Sequence, residues 1–174
     1  ACVTITQPSA VTATISNIVH VNCNGDSTGS ATAAGSGGTA PYIYRWGAAT
    51  GGQMTATATG LPIGSYNVTV TDSKGCKSVN FVSINQPASA MQAVANQVVP
   101  VQCAGDSSGS VRVAIVGGSI PHSVLWNQGA TTTVVTGLAA GTYCATVTDS
   151  LGCTDVACVT LTAPSPVNVS LVSS

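Results

Sequence analysis

The sequence predicts an all-β fold of tandem immunoglobulin-like β-sandwich repeats stapled by disulfides. Three observations lead there: a strand-like residue texture, an internal repeat about 80 residues long, and cysteines at matched positions in the two copies. The texture comes first. Apolar residues make up 44% of the 174-residue chain but aromatic ones only 4%, so the core must be built from Val, Ile, Leu and Ala. Alternating Val, Thr and Ser suit a pleated, half-buried surface, and no run carries apolar residues at helical spacing.

The repeat is direct. CNGDSTGSATAAGSGGTAPYIYRW, from Cys23, matches CAGDSSGSVRVAIVGGSIPHSVLW, from Cys103, at an offset of 80 with no gap. LPIGSYNVTVTDSKGC, from Leu61, then matches LAAGTYCATVTDSLGC, from Leu138, at an offset of 77. One connection after Trp126 is therefore three residues shorter than its counterpart after Trp46. INQP (Ile84–Pro87) and LTAP (Leu161–Pro164) close the two copies. Residues Ala1–Pro8 (ACVTITQP) resemble Ala157–Pro164 (ACVTLTAP). Residues 1–8 are thus expected to be the last strand of a preceding repeat, 9–87 the first sandwich, 88–164 the second, and 165–174 the first strand of a following repeat.

Gly-Gly pairs, Pro and Asp-Ser-x-Gly mark the turns. Between them the second copy offers strands near 91–98, 109–116, 122–127, 131–136, 142–149 and 154–162. Six short strands in such a unit make a two-sheet sandwich. Tyr66 and Tyr143 follow Gly-Ser and Gly-Thr at a strand entry, in the manner of a tyrosine corner. Trp46 and Trp126 read as core residues, with sugar stacking as their functional alternative.

The shared order C-x-G-D-S-x-G-S, G-G-x-x-P, W, G-L-x-x-G-x-Y and V-T-D-x-x-G-C resembles the SprB-type repeat, and the likeness runs twice along essentially the whole chain. These repeats occur in very large surface adhesins of gliding Bacteroidetes. The resemblance implies secretion, cell-surface display and a role in adhesion or gliding motility.

Seven cysteines make an odd count, with no Cys-x-x-Cys and no ligand spacing around His20 or His122. Disulfides in an oxidising compartment are the better reading. Counting outward from the turn at Ser150-Leu151-Gly152 places Cys144 opposite Cys158, facing outward because Tyr143, Ala145 and Val147 face the core. The first copy has Asn67 and Phe81 there, so both cysteines are lost together. Cys2 matches Cys158, and its partner is expected in a neighbouring repeat or chain. For Cys23, Cys76, Cys103 and Cys153 the simple expectation is one bridge per repeat, Cys23–Cys76 and Cys103–Cys153. The alternative is Cys23 with Cys153: in an immunoglobulin-like topology the first turn and the last hairpin lie at opposite ends of the sandwich.

Charge bounds the function. Only 5% of residues are charged, against roughly a quarter in typical domains. The basic residues are Arg45, Lys74, Lys77 and Arg112, which form no stripe for a phosphate backbone, so nucleic acid is excluded as a partner. No apolar run is long enough to span a bilayer, which argues against direct membrane insertion. The acidic residues Asp26, Asp72, Asp106, Asp149 and Asp155 mostly sit in turn motifs, where Asp bonds its own downstream backbone. Calcium, their alternative ligand, needs more carboxylates than one turn supplies. There is no Glu, and the two His occupy unrelated places in the copies, so neither a catalytic site nor a cofactor is expected.

Four residues are candidate glycosylation sites. Asn67 and Asn168 open N-x-Ser/Thr sequons. Ser27 and Ser150 follow Asp in sequences resembling the Bacteroidetes O-glycosylation motif. Val79 and Phe81 are expected to face outward opposite Val82 and Ile84. The sequence reads as a non-catalytic segment of a long extracellular adhesin or filament, whose partners are neighbouring repeats or identical chains. A self-assembling subunit joined by strand exchange is the alternative, and a module binding surface polysaccharide the third reading.

Overall fold

The computed structural model describes residue 3 and residues 7–168. The chain divides into two compact units, Ala1–Ala88 and Ser89–Ser174. In the first, β1 (Thr12–Val19), β2 (Gly29–Ser36) and β4 (Thr57–Leu61) form one sheet in the order β1-β2-β4. The facing sheet has β3 (Ile43–Trp46), β5 (Gly64–Thr71) and β6 (Lys77–Ile84) in the order β3-β5-β6. The second unit repeats this with β7 (Gln92–Val99), β8 (Gly109–Val116) and β10 (Val134–Leu138) facing β9 (Ser123–Trp126), β11 (Gly141–Thr148) and β12 (Thr154–Leu161). All the pairings are antiparallel. Two packed three-stranded sheets with this connectivity are the immunoglobulin-like sandwich.

The strands form where alternation demands. In β5, Tyr66, Val68 and Val70 point inward and are buried. In β6, Val82 and Ile84 are buried, whereas Val79 and Phe81 face out, Phe81 with 72% of its surface exposed. The core of unit 1 gathers these residues around Trp46, Ala31, Ala33 and Leu61. Trp126, Val111, Val113, Val147 and Leu161 do the same in unit 2. Ala31 and Ala33 of unit 1 are replaced by Val111 and Val113 in unit 2, and each fully buried Val or Leu contributes about 1.5–3 kcal/mol.

Both tryptophans are 1% exposed, and their indole N–H groups are satisfied internally, Trp46 by Thr55 O at 3.0 Å and Trp126 by Thr132 O at 2.8 Å. Neither ring offers a face to a sugar. The tyrosine corners are present: Tyr66 donates to Pro62 O at 2.8 Å and Tyr143 to Ala139 O at 2.9 Å, each four residues upstream. The three-residue difference between the copies lies in the β3–β4 connection, residues 47–56, against 127–133 between β9 and β10. The longer loop makes room for a 3-10 turn at Ala48–Thr50.

One strand expectation shifts. The strand placed at 131–136 lies at Val134–Leu138, because Thr131–Thr133 belong to the loop that returns over Trp126 and closes its indole hydrogen bond. The terminal strands at 1–8 and 165–174 fall mainly outside the described residues; residues 165–168 carry no strand pairing.

Each first strand edges the opposite sheet through side chains of the last. Ala13 N donates to Ser78 Oγ at 3.1 Å, and Asn80 Nδ2 donates to Ala13 O at 2.9 Å. In unit 2 the matching Ala93 N donates to Asp155 Oδ2 at 2.7 Å. Side chains thus occupy backbone positions that a sheet edge would otherwise leave open to another strand.

Candidate functional site: the two cysteine-bearing ends

The chemistry-bearing residues collect at the ends of the sandwiches. β1 and β4 both pair antiparallel with β2, so they run the same way; β3 and β6 both pair antiparallel with β5. Gly29, which opens β2, abuts Leu61 and Ile84, and this fixes one end of unit 1. The turn carrying Cys23 belongs to that end. It is tied to the outgoing chain by Val21 N to Asn85 O (2.9 Å), Asn24 Nδ2 to Pro87 O (2.9 Å) and Gly25 N to Gln86 Oε1 (3.0 Å).

The hairpin between β5 and β6, carrying Cys76, is at the other end. There Asp72 Oδ1 accepts from Lys74 N (3.0 Å) and Cys76 N (2.8 Å), while Oδ2 accepts from Thr39 N at 3.0 Å. Asp149 does the same in unit 2, taking Leu151 N (2.9 Å), Cys153 N (2.9 Å) and Ser119 N (3.0 Å). Both carboxylates are buried. For Asp72, burial pushes the carboxyl up, but the N–H groups of Thr39, Cys76 and Lys74 outweigh it and hold it below the usual aspartate value. For Asp149 the Ser119 N–H is the largest influence, opposed by burial and joined by Cys153, Leu151 and the nearby His122, and the result is again lowered. These carboxylates act as backbone anchors. Among the described residues no group of three or more His, Cys, Asp or Glu is placed to hold a metal ion.

This geometry corrects the expected cysteine pairing. The bridges Cys23–Cys76 and Cys103–Cys153 do not form: Cys76 and Cys103 are free and exposed, whereas Cys23 and Cys153 are disulfide-bonded. The reason is distance. The eight residues of β6 separate the two ends of unit 1, roughly 27 Å at strand rise, and a disulfide cannot bridge Cα atoms more than about 7 Å apart. The ends are opposite because the β3–β4 connection joins two strands that run the same way, so simple hairpin alternation breaks there.

Cys144 and Cys158 are bonded, with Cα atoms 4.0 Å apart, and sit directly opposite one another in the β11–β12 ladder. Asn67 faces Phe81 at the equivalent rung of β5–β6. Cys2 lies outside the described residues. Of the candidate glycosylation sites, Ser27, Ser150 and Asn168 are exposed, Asn67 is half-buried in β5, and the sequon of Asn168 continues beyond the described residues. The sequence reading missed how the Gly-Gly loop cooperates with Asp72. Gly38 has φ +60°, and a Cβ there would lie 2.5 Å from Asp72 Oδ2. The recurrence of Gly-Gly with Asp-Ser-x-Gly-Cys in both copies was the available signal.

Each free thiol lines a cleft at the end of its unit. Cys76 shares a cleft of about 310 Å3 with Gln7, Pro8, Lys74 and Lys77, where the chain enters unit 1. Cys103 shares one of about 290 Å3 with Pro164, Ser165, Pro166 and Val167, where the chain leaves unit 2.

Fold, duplicated motifs and cysteine-bearing ends together define a tandem array of immunoglobulin-like sandwiches. The SprB repeat family model matches residues 15–51 and again 95–131, one stretch in each unit. No curated protein matches the chain in sequence. Among solved structures, it is similar to the three N-terminal domains of the bacteriophage RB49 highly immunogenic outer capsid protein (16% identity, 88% of this chain and 59% of that one, TM-score 0.41). It is also similar to the BSP domain of a biofilm-associated protein (19%, 86% and 30%, TM-score 0.27). A third is a tetra-tandem repeat from the extending region of a large adhesion protein (16%, 89% and 50%, TM-score 0.29).

Proposed function

We propose that the chain is a non-catalytic structural segment of a long extracellular surface protein, an adhesin or filament, serving attachment or gliding. The observation that carries this reading is the pair of SprB repeat matches, each in a unit with its own closed core and with its duplicated motifs used for folding. Tyr66, Tyr143, Asp72 and Asp149 bond backbone, and Trp46 and Trp126 fill the interior. What faces solvent is nearly uncharged, Thr, Ser, Asn and Gly interspersed with apolar side chains such as Ile43, Phe81 and Ile120, a surface with little charge repulsion between neighbouring molecules. The disulfides favour an oxidising compartment, and together with the SprB repeat matches they support a cell-surface or extracellular location. Binding strength would come from many weak contacts along the array.

The test is antibody labelling of intact cells with serum raised against this chain, before and after external protease. Labelling that protease removes supports the reading. Signal found only after lysis overturns it. Denaturing, reducing electrophoresis of the labelled protein then decides between array and subunit. A mass many times the 17.0 kDa of these residues is expected for the array, and a band near 17.0 kDa means a self-assembling subunit.

A further inference from the structure

Five cysteines lie outside the β11–β12 bridge, and the four of them among the described residues form two classes. Cys23 and Cys103 open Cys-x-Gly-Asp turns; in each, the Asp N–H returns to the Cys carbonyl at 3.1 Å. Cys76 and Cys153 close Asp-Ser-x-Gly-Cys hairpins, and each donates its N–H to the Asp Oδ1. One member of each class is disulfide-bonded, Cys23 and Cys153. The other member of each, Cys103 and Cys76, is a free, exposed thiol.

Position explains the split. Within its own unit, the turn class sits where the chain leaves: Cys23 beside the segment Asn85–Pro87, Cys103 beside Pro164–Val167. The hairpin class sits where the chain enters. Cys76 lines a cleft with Gln7 and Pro8. The Cys153 hairpin is bonded through Asp149 and Ser150 to Ser119, next to the Gly117 that packs on Ala90. In a row of such repeats every unit presents a turn cysteine forward and a hairpin cysteine backward.

We propose that Cys76 and Cys103 are inter-repeat disulfide sites, Cys76 taking the turn-class cysteine of a repeat before it and Cys103 the hairpin-class cysteine of a repeat after it. The partner is a further repeat of the same kind, and the inference rests on the array reading above. At Cys76 charge favours the match: Lys74 and Lys77 line its cleft, the Asp72 carboxylate there is taken up by backbone amides, and the turn class carries an Asp three residues after its cysteine, Asp26 or Asp106. The chemistry is thiol–disulfide exchange. One thiolate attacks an added low-molecular-weight disulfide and releases one thiol; the second thiolate attacks the resulting mixed disulfide and releases another. The S–S bond formed takes two electrons from the two cysteines, and the reagent leaves as two thiols.

The test uses the full 174-residue chain, with a second copy standing for the neighbouring repeat and Cys2→Ser throughout. Cys76→Ser and Cys103→Ser are prepared separately and incubated in a glutathione redox buffer, alone and as an equimolar mixture. Unreduced electrophoresis is expected to show monomer for each variant alone and a dimer, twice 17.0 kDa, only for the mixture. Unreduced peptide mapping of that dimer should return one peptide holding Cys76 and Cys103. A mixture that stays monomeric while tryptophan fluorescence shows folded chains overturns the proposal. So does equal dimer yield from either variant alone, which means unselective thiol pairing. Neither outcome alters the labelling of intact cells, so a failure here is distinguishable from a failure of the surface-protein reading.

Discussion

The Asp72 carboxylate holds the β5–β6 hairpin to the loop at Thr39 through three amide donors, and Asp149 holds its counterpart to Ser119 in the same way. Both carboxyls sit below the ordinary aspartate value of about 3.9. The sign follows by linkage. The stabilisation is fully present above the unfolded value and is lost as pH falls through the lower folded one. Chemical denaturation from pH 7 downward should therefore show a flat midpoint until about pH 4 and a decline below it. In Asp72→Asn/Asp149→Asn the midpoint should start lower and the decline should shrink, because an amide cannot accept at both of its heavy atoms. An acid decline unchanged in the double variant would remove these two residues as its cause. Gly29 makes a different demand. A Cβ there would lie 2.6 Å from both Ile84 Cγ2 and Leu61 O, so Gly29→Ala forces the β2 start away from the facing sheet. A loss of about 1–3 kcal/mol in unfolding free energy is expected, the usual cost of overpacking, and the matching Gly109→Ala should behave alike. The motif Gly was visible in the sequence as a turn signal; that it marks close approach of backbone to core needed coordinates.

At the scale of elements, the β5–β6 and β11–β12 hairpins share one register, and only the second carries a bridge. Asn67 and Phe81 face each other at the rung that Cys144 and Cys158 occupy. Asn67→Cys/Phe81→Cys should therefore oxidise without moving the backbone. By loop closure the gain is at most about 3 kcal/mol for unit 1, seen as a higher urea midpoint that reductant abolishes. Failure of the pair to oxidise in air would mean that the ladder is less faithful to its neighbour than it looks. This hairpin was legible in the sequence because local counting fixes register once the turn is known. The long-range pairs were not. Cys23 and Cys76 are linked in the sequence by motif and plausible loop length, but their separation depends on the direction of β4, which no local pattern states. Likewise the strand placed at 131–136 was drawn too early, since β-favouring threonines at 131–133 serve the loop over Trp126.

At the scale of the whole molecule, two separate cores hold one tryptophan each, Trp46 in unit 1 and Trp126 in unit 2. Each indole therefore reports its own unit. With Trp126→Phe, fluorescence follows unit 1; with Trp46→Phe, it follows unit 2. Removing the surface bridge by Cys144→Ser/Cys158→Ser reopens a short loop in the unfolded chain of unit 2 alone. The transition seen by Trp126 should lose about 3 kcal/mol, less whatever strain the bridge carries between adjacent strands. The transition seen by Trp46 should stay within about 0.5 kcal/mol, the tolerance for sites with no shared partners. Equal shifts at both reporters would mean that the repeats unfold as one cooperative body. A surface array gains from the independent case: a repeat that opens under load leaves its neighbours folded, and the stability of the array becomes close to a sum over repeats.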